Sequence, residues 1–148
     1  MSSQELRPPQ PQRTDDFHTW LCEVEGYETF SSLSTRRDIS QEDAKTWVED
    51  QVKAGKLFTV SHLDGVLIPQ VLFTERGTIN APVSELAYAL RHANIGEWHT
   101  WAWLVSPSGL LSGDIPAEVV QKNQARAFTA AQRHIAEVQR ASGQGYVA

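Results

Sequence analysis

Cysteine is almost missing from this chain: Cys22 is the single one in 148 residues. That excludes an internal disulfide and a multi-cysteine metal knuckle. It is the usage expected in a reducing compartment, so the expectation is a cytoplasmic protein. Positive charge is also short. Lys and Arg total 13 against 18 Asp and Glu, leaving a net charge of −5. A large nucleic-acid surface needs clustered cations, which this balance disfavours, although it leaves room for a small local one. No run approaches the ~18 apolar residues of a membrane span, and the N-terminus lacks the apolar core of a signal peptide.

Catalytic and metal-binding patterns are missing too. His18, His62, His92, His99 and His134 are scattered, without an i, i+4 pair or a His-Glu-x-x-His. Gly109 and Gly113 are not followed by the Gly-Lys-Ser/Thr of a phosphate loop. Glu42, Asp43, Glu49 and Asp50 read as a solvated helix face rather than a catalytic pair. Cys22 falls on the inner edge of a helical pattern and reads as packing rather than as a nucleophile. The expectation is a non-enzyme with no metal and no cofactor.

Tryptophan is what the chain has in excess. Glu97-Trp98-His99-Thr100-Trp101-Ala102-Trp103-Leu104-Val105 holds three of its five. At about 100° per residue, Trp98, Trp101, Ala102 and Val105 share one helix face, and Trp103 lies roughly 140° from Trp98. Such a helix is either buried nearly all round or shows a Trp to a partner. A loop rich in Pro, Gly and Ser follows, from Ser106 to Ile115, and Pro116 opens another helical stretch.

Periodicity predicts an α+β protein, mostly helical. A polar, proline-bearing tail (1–14) precedes a helix over Phe17, Trp20, Leu21 and Val24, capped by Asp15 or Asp16 and closed by Gly26. A short helix over Tyr27–Leu33 and a clearer one starting at Ser40 follow. The latter has an inner stripe of Ala44, Trp47, Val48 and Gln51/Val52 and a stop at Gly55. Leu57–Ser61 and Val66–Ile68, joined by Asp64-Gly65, predict a β-hairpin whose second strand Pro69 confines to an edge or ends. Val71–Phe73 continues extended, with a turn at Glu75-Arg76-Gly77. Val83, Leu86, Ala87 and Leu90 line the next helix, with Pro82 in its first turn. After the tryptophan helix and loop, Pro116–Arg140 reads as one helix, with Ala127, Ala130 and Ala131 suited to a close crossing or to a homodimer seam. The expected organisation is a helical part with hairpin over 15–78, a helical domain over 79–141, and a flexible tail over 142–148.

The order of helix, helix and hairpin resembles a degenerate winged helix-turn-helix, with the helix from Ser40 as reader. Its four acids against Lys45, Lys53 and Lys56, with no Arg for a bidentate guanine contact, suit DNA poorly. Arg36, Arg37, Lys45 and Lys53 are the candidate phosphate contacts.

Trp103-Leu104, Pro107, Leu111, Gly113 and Pro116, preceded by Asp64-Gly65-Val66-Leu67-Ile68-Pro69-Gln70-Val71-Leu72-Phe73, carry a resemblance. Over about Leu57 to His134 the chain resembles the toxin-binding domain of the Xre/MbcA/ParS antitoxins, a three-helix unit. Ser108, Ser112 and Ile115 stand where that family has Asn, Gly and a capping Thr; Asp114 could cap if the boundary moves by one residue. The resemblance implies a bacterial antitoxin that binds a cognate RES- or ParT-type toxin, which consumes NAD or transfers its ADP-ribose, and blocks its entrance. It implies partner contacts from Trp103, Pro107, Leu110, Leu111, Gly113 and Pro116. Two alternatives stay open: a DNA-binding transcriptional repressor, and a structural or interaction module that kept the fold.

Overall fold

Helical and β-rich apolar periods alternate along the chain, and the fold follows them in order. The computed structural model describes residues 14–63 and 65–147. The expected tail over 1–13 and Asp64 of the hairpin turn lie outside the described residues. Helix α1 (Thr14–Glu25) already includes Asp15 and Asp16 in its first turn rather than starting after them. Leu21 and Cys22 are buried, whereas Val24, expected inside, is exposed. Gly26 ends the helix at φ +83° and donates to the Cys22 carbonyl.

Tyr27 and Glu28 are not helical, as the periodicity suggested, but form a short strand, β1. The helix begins two residues later, as α2 (Phe30–Arg37). Thr29 caps it by accepting from Ser32 N, while Ser32 Oγ accepts from Thr29 N. A Ser in place of the usual Glu or Gln hid this reciprocal cap in the sequence. Helix α3 (Gln41–Lys53) starts where expected, with Ser40 Oγ accepting from Asp43 N at 3.0 Å. Ala44 and Val48 are buried, while Val52 is exposed.

The hairpin pairs β2 (Val60–His62) with β3 (Gly65–Pro69). β1 adds to the other side, giving the order β1-β3-β2 with both pairings antiparallel. The strand ending in Pro69 is therefore central, not an edge. Pro69 is tolerated because it is the last residue of the strand, and the next ladder bond comes from Gln70 N to Gly26 O at 3.1 Å. Gln70–Leu72 is a 3₁₀ turn where the sequence suggested extended chain. The turn at Glu75-Arg76-Gly77 forms as expected, with Gly77 at φ +85°. The Arg36 side chain packs where a Cβ would sit on Gly77, so a larger residue would have to displace it and would strain the left-handed backbone.

Helix α4 (Ala81–His92) buries Val83, Leu86, Ala87 and Leu90. α5 is the tryptophan helix (Glu97–Val105). The expected single helix over Pro116–Arg140 is two: α6 (Pro116–Lys122) and α7 (Gln124–Val147). Asn123 breaks it at φ −148°, because its Oδ1 accepts from Arg126 N at 3.1 Å and so caps α7. α7 continues helical to Val147, through most of the segment expected to be a flexible tail.

One core joins everything. Leu21, Leu33, Val48, Ile68, Leu86, Trp101, Leu111, Val120 and Ala131 belong to a single buried cluster. The expected boundary at 78/79 does not divide it. Ala127, Ala130 and Ala131 are buried within the chain itself, where the sequence also allowed a dimer seam. α5 is buried along one broad face, Thr100, Trp101, Trp103 and Leu104, while Trp98, Ala102 and Val105 are half-buried and His99 is exposed. Trp98 is sandwiched between the His18 ring of α1 (centroids 3.7 Å, planes 5° apart) and Trp101 (5.5 Å).

On its opposite side α5 is latched to α7. His99 Nε2 and His134 Nε2 lie 2.8 Å apart, and the His134 ring stacks on Trp103. Such a bond needs one ring as donor and the other as acceptor, so it cannot survive with both rings charged. Burial first, and the adjacent His99 second, hold His134 below its ordinary value, with Glu137 opposing.

Trp101 is fully buried. Trp101→Ala should therefore lower the unfolding free energy by about 3–5 kcal/mol in chemical denaturation. His134 titrates lower in the fold than in the unfolded chain, so the unfolded state binds the proton more readily. Its contribution is complete above the ordinary value of 6.5 and declines as pH falls through and below it. Denaturant midpoints taken from about pH 8 to about pH 5 should fall for the native chain and fall less for His134→Gln.

Candidate functional site

The candidate partner loop leaves the end of α5 and enters α6 at Pro116. Its backbone closes on itself. Ser108 N donates to Asp114 O (3.0 Å), Gly113 N to Ser108 O (2.8 Å), and Leu111 N to Ser108 O (3.0 Å). Ser108 Oγ accepts from Leu110 N at 3.2 Å, a Ser turn that uses the residue standing in the family's Asn position. Gly109–Leu111 is one 3₁₀ turn, closed by Ser112 at φ +56° and Gly113 at φ +90°. The family's Gly-Gly suits two consecutive left-handed residues. Ser at the first of them carries a Cβ that costs on the order of 1 kcal/mol.

α7 straps the loop from outside. Arg126 Nη2 donates to the Leu111 carbonyl at 2.9 Å, and Nη1 meets Asp114 Oδ2 at 3.3 Å. The ion pair is exposed and contributes little by itself. The bond to the carbonyl fixes the turn. Asp114 is thereby used on Arg126 and does not cap α6; Ile115 is the capping residue and supplies no side-chain bond. Pro116 at the first helical position needs no hydrogen-bond partner for its nitrogen, which lowers the cost of the missing cap.

The six residues carried over from the resemblance divide in two. Trp103, Leu111 and Pro116 point into this protein's own core; Leu111 is 0% exposed and Trp103 8%. These three hold the loop and are not available to a partner. Pro107 and Gly113 are exposed, and Leu110 is half-buried. The outward rim is therefore Pro107, Leu110 and Gly113. The sequence showed neither Arg126 as a strap nor the pairing of His99 with His134, since both join residues distant along the chain.

The candidate DNA contacts do not converge. Arg36 Nη2 donates to Glu28 Oε2 at 2.9 Å, and Glu28 is 3% exposed. Ser32 Oγ donates to the other Glu28 oxygen at 2.7 Å. Arg36 thus neutralises a buried carboxylate that the sequence reading did not single out. The Arg37 guanidinium lies 3.9 Å above the Trp47 ring, a cation–π contact. Lys45 and Lys53 are exposed, but line a groove of about 560 Å³ with Phe30, Val48, Val52 and Val66, and Glu49 stands between them. Cys22 is buried, and burial pushes its thiol up, as packing rather than nucleophilic use requires.

No helix among the described residues is long and apolar enough to cross a membrane. No family model matches the chain, and no curated protein matches it. Among solved structures, the NMR structure of Rv2175c is similar, with a TM-score of 0.55 and 22% identity over 77% of this chain and 82% of that one. At that identity the likeness concerns the fold alone: this chain is an α+β, mostly helical protein that resembles the Rv2175c fold.

Proposed function

We propose that this protein is a cytoplasmic, non-enzymatic antitoxin that inhibits a partner toxin by occlusion. The partner is a RES- or ParT-type toxin acting on NAD, in keeping with the motif resemblance over Leu57–His134. The outer rim of loop 106–115 docks at the toxin's entrance.

One observation supports this reading most. The loop is anchored from within by Trp103, Leu111 and Pro116 and strapped from without by Arg126, yet it keeps Pro107, Leu110 and Gly113 at its outer rim. A surface ordered before binding loses little conformational entropy on docking, so a small contact suffices for affinity. A half-buried Leu between an exposed Pro and an exposed Gly is a fitting anchor for a neighbour's pocket.

DNA repression is the second reading. α2, α3 and the β2–β3 hairpin follow the order of a winged helix-turn-helix. Arg37, Lys45 and Lys53 are the phosphate contacts left to that reading, because Arg36 is held by Glu28. Steep salt dependence of binding to the protein's own promoter fragment would favour it.

Co-expression with a RES- or ParT-type toxin encoded beside the gene tests the first reading. Leu110→Asp should abolish growth rescue with an unchanged circular dichroism spectrum; full rescue by this variant counts against the loop. Leu111→Asp should instead unfold the protein. Arg126→Ala touches no rim residue but frees the turn, and should weaken toxin binding by about tenfold in calorimetry.

A further inference from the structure

A cleft of about 430 Å³ opens beside the partner loop, where the end of α1 faces the start of α6. Phe73, Val83, Val105 and Ile115 are among its apolar walls, and Glu25 and Glu118 are its acidic ones. Ile115, the last residue of loop 106–115, lines the cleft, so the cleft borders the loop that carries the proposed docking rim.

The two carboxylates differ in what accounts for them. Glu118 lies in the first turn of α6, where a negative charge complements the helix dipole. Glu25 is the last residue of α1, at the negative end of its dipole, in a helix whose last turn carries no basic residue. It borders apolar surface and faces another carboxylate. Burial, and then Glu118, raise its pKa above the ordinary carboxylate value. Helix electrostatics, partial burial and the neighbouring charge thus all disfavour ionised Glu25 in the free protein, and a cation between Glu25 and Glu118 would offset them by direct attraction.

We infer that this cleft is a socket for one basic side chain, Arg or Lys, presented by the partner protein. The aliphatic stem lies on the half-buried Val71, Val105 and Ile115, and the charged head sits between Glu25 and Glu118. An apolar cleft with a doubly acidic mouth matches a side chain that is apolar along its length and cationic at its tip. A bare metal ion would leave the apolar walls unused. The inference rests on the docking reading for its partner, not for its chemistry.

The test begins with the full chain alone. Nα-acetyl-arginine amide, titrated by amide NMR, should shift Val71, Val105 and Ile115 saturably, with a Kd on the order of 1 mM. The isosteric citrulline derivative, which lacks the charge, should leave them in place. Glu118→Gln should weaken the arginine probe about tenfold and lower the Glu25 pKa, read from its carboxyl carbon. Equal binding of the citrulline derivative, tighter binding of magnesium than of the arginine probe, or no shift at these amides would overturn the socket.

The toxin complex separates this inference from the one it deepens. If Leu110→Asp abolishes inhibition while Glu25→Gln/Glu118→Gln inhibits like the native protein, the socket falls and the antitoxin reading stands. If the arginine probe seats in the cleft but no toxin is inhibited, the antitoxin reading falls and the socket stands.

Discussion

Burial of one broad face of α5 is the constraint on which the rest of the molecule depends. Thr100, Trp101, Trp103 and Leu104 share about half the circumference of one short helix, and all four are buried, while Trp98, Ala102 and Val105 are half-buried and His99 is exposed. A nine-residue helix buries two tryptophans on such a face only if several elements pack against it. α1 supplies one wall through His18 against Trp98, and α7 another through His134 against Trp103. The winged-helix-like half and the C-terminal helices therefore share one core. The loop leaving α5 starts from an immobile base.

Buried and half-buried polar groups pin other junctions of the fold. Ser84 Oγ donates to the Lys56 carbonyl at 2.6 Å and ties α4 to the chain after α3. Ser34 Oγ donates to the Ile39 carbonyl and shapes the turn between α2 and α3. Glu28, held by Ser32 and Arg36, joins the sheet to α2. A buried polar group without a partner costs more than the bond it would make, so each pin selects one arrangement of its elements. This also bears on function: the exposed Arg36 that composition offers to a phosphate is already paired with the buried Glu28 carboxylate.

The split within the loop follows from the same physics. A short segment between two packed helices cannot turn all its apolar residues outward, because the core beneath it would be left hollow. Leu111 fills that space and Leu110 remains at the rim. Adjacent residues of the same type thus take opposite roles. The acidic cleft at the Ile115 end of the loop adds a charge preference that the apolar rim lacks.

Much of this architecture was legible in the chain. The stripes Ala44/Val48 and Val83/Leu86/Ala87/Leu90, the Ser40 cap, the Gly26 stop and the second hairpin strand come from local rules, namely a repeat of 3.6 or 2 and a capping side chain, whereas the first strand, expected over Leu57–Ser61, forms over Val60–His62. Sequence alone determined them because each is settled within a turn or two of its own residues. It determined Trp101 as core by the same means. Only the tertiary structure decided that Tyr27-Glu28 is a strand, since an edge of β3 had to be there to receive it, and that β3 is central despite Pro69. Likewise the tertiary structure decided that Asn123 breaks one helix into two, that Arg126 straps the loop, that Leu111 faces inward, and that Glu25 meets Glu118 across a cleft. Asn123 apart, whose cap on Arg126 N is local but competes with a continuous helical pattern, each depends on partners distant along the chain, and spacing in a sequence carries no record of which distant surfaces will meet.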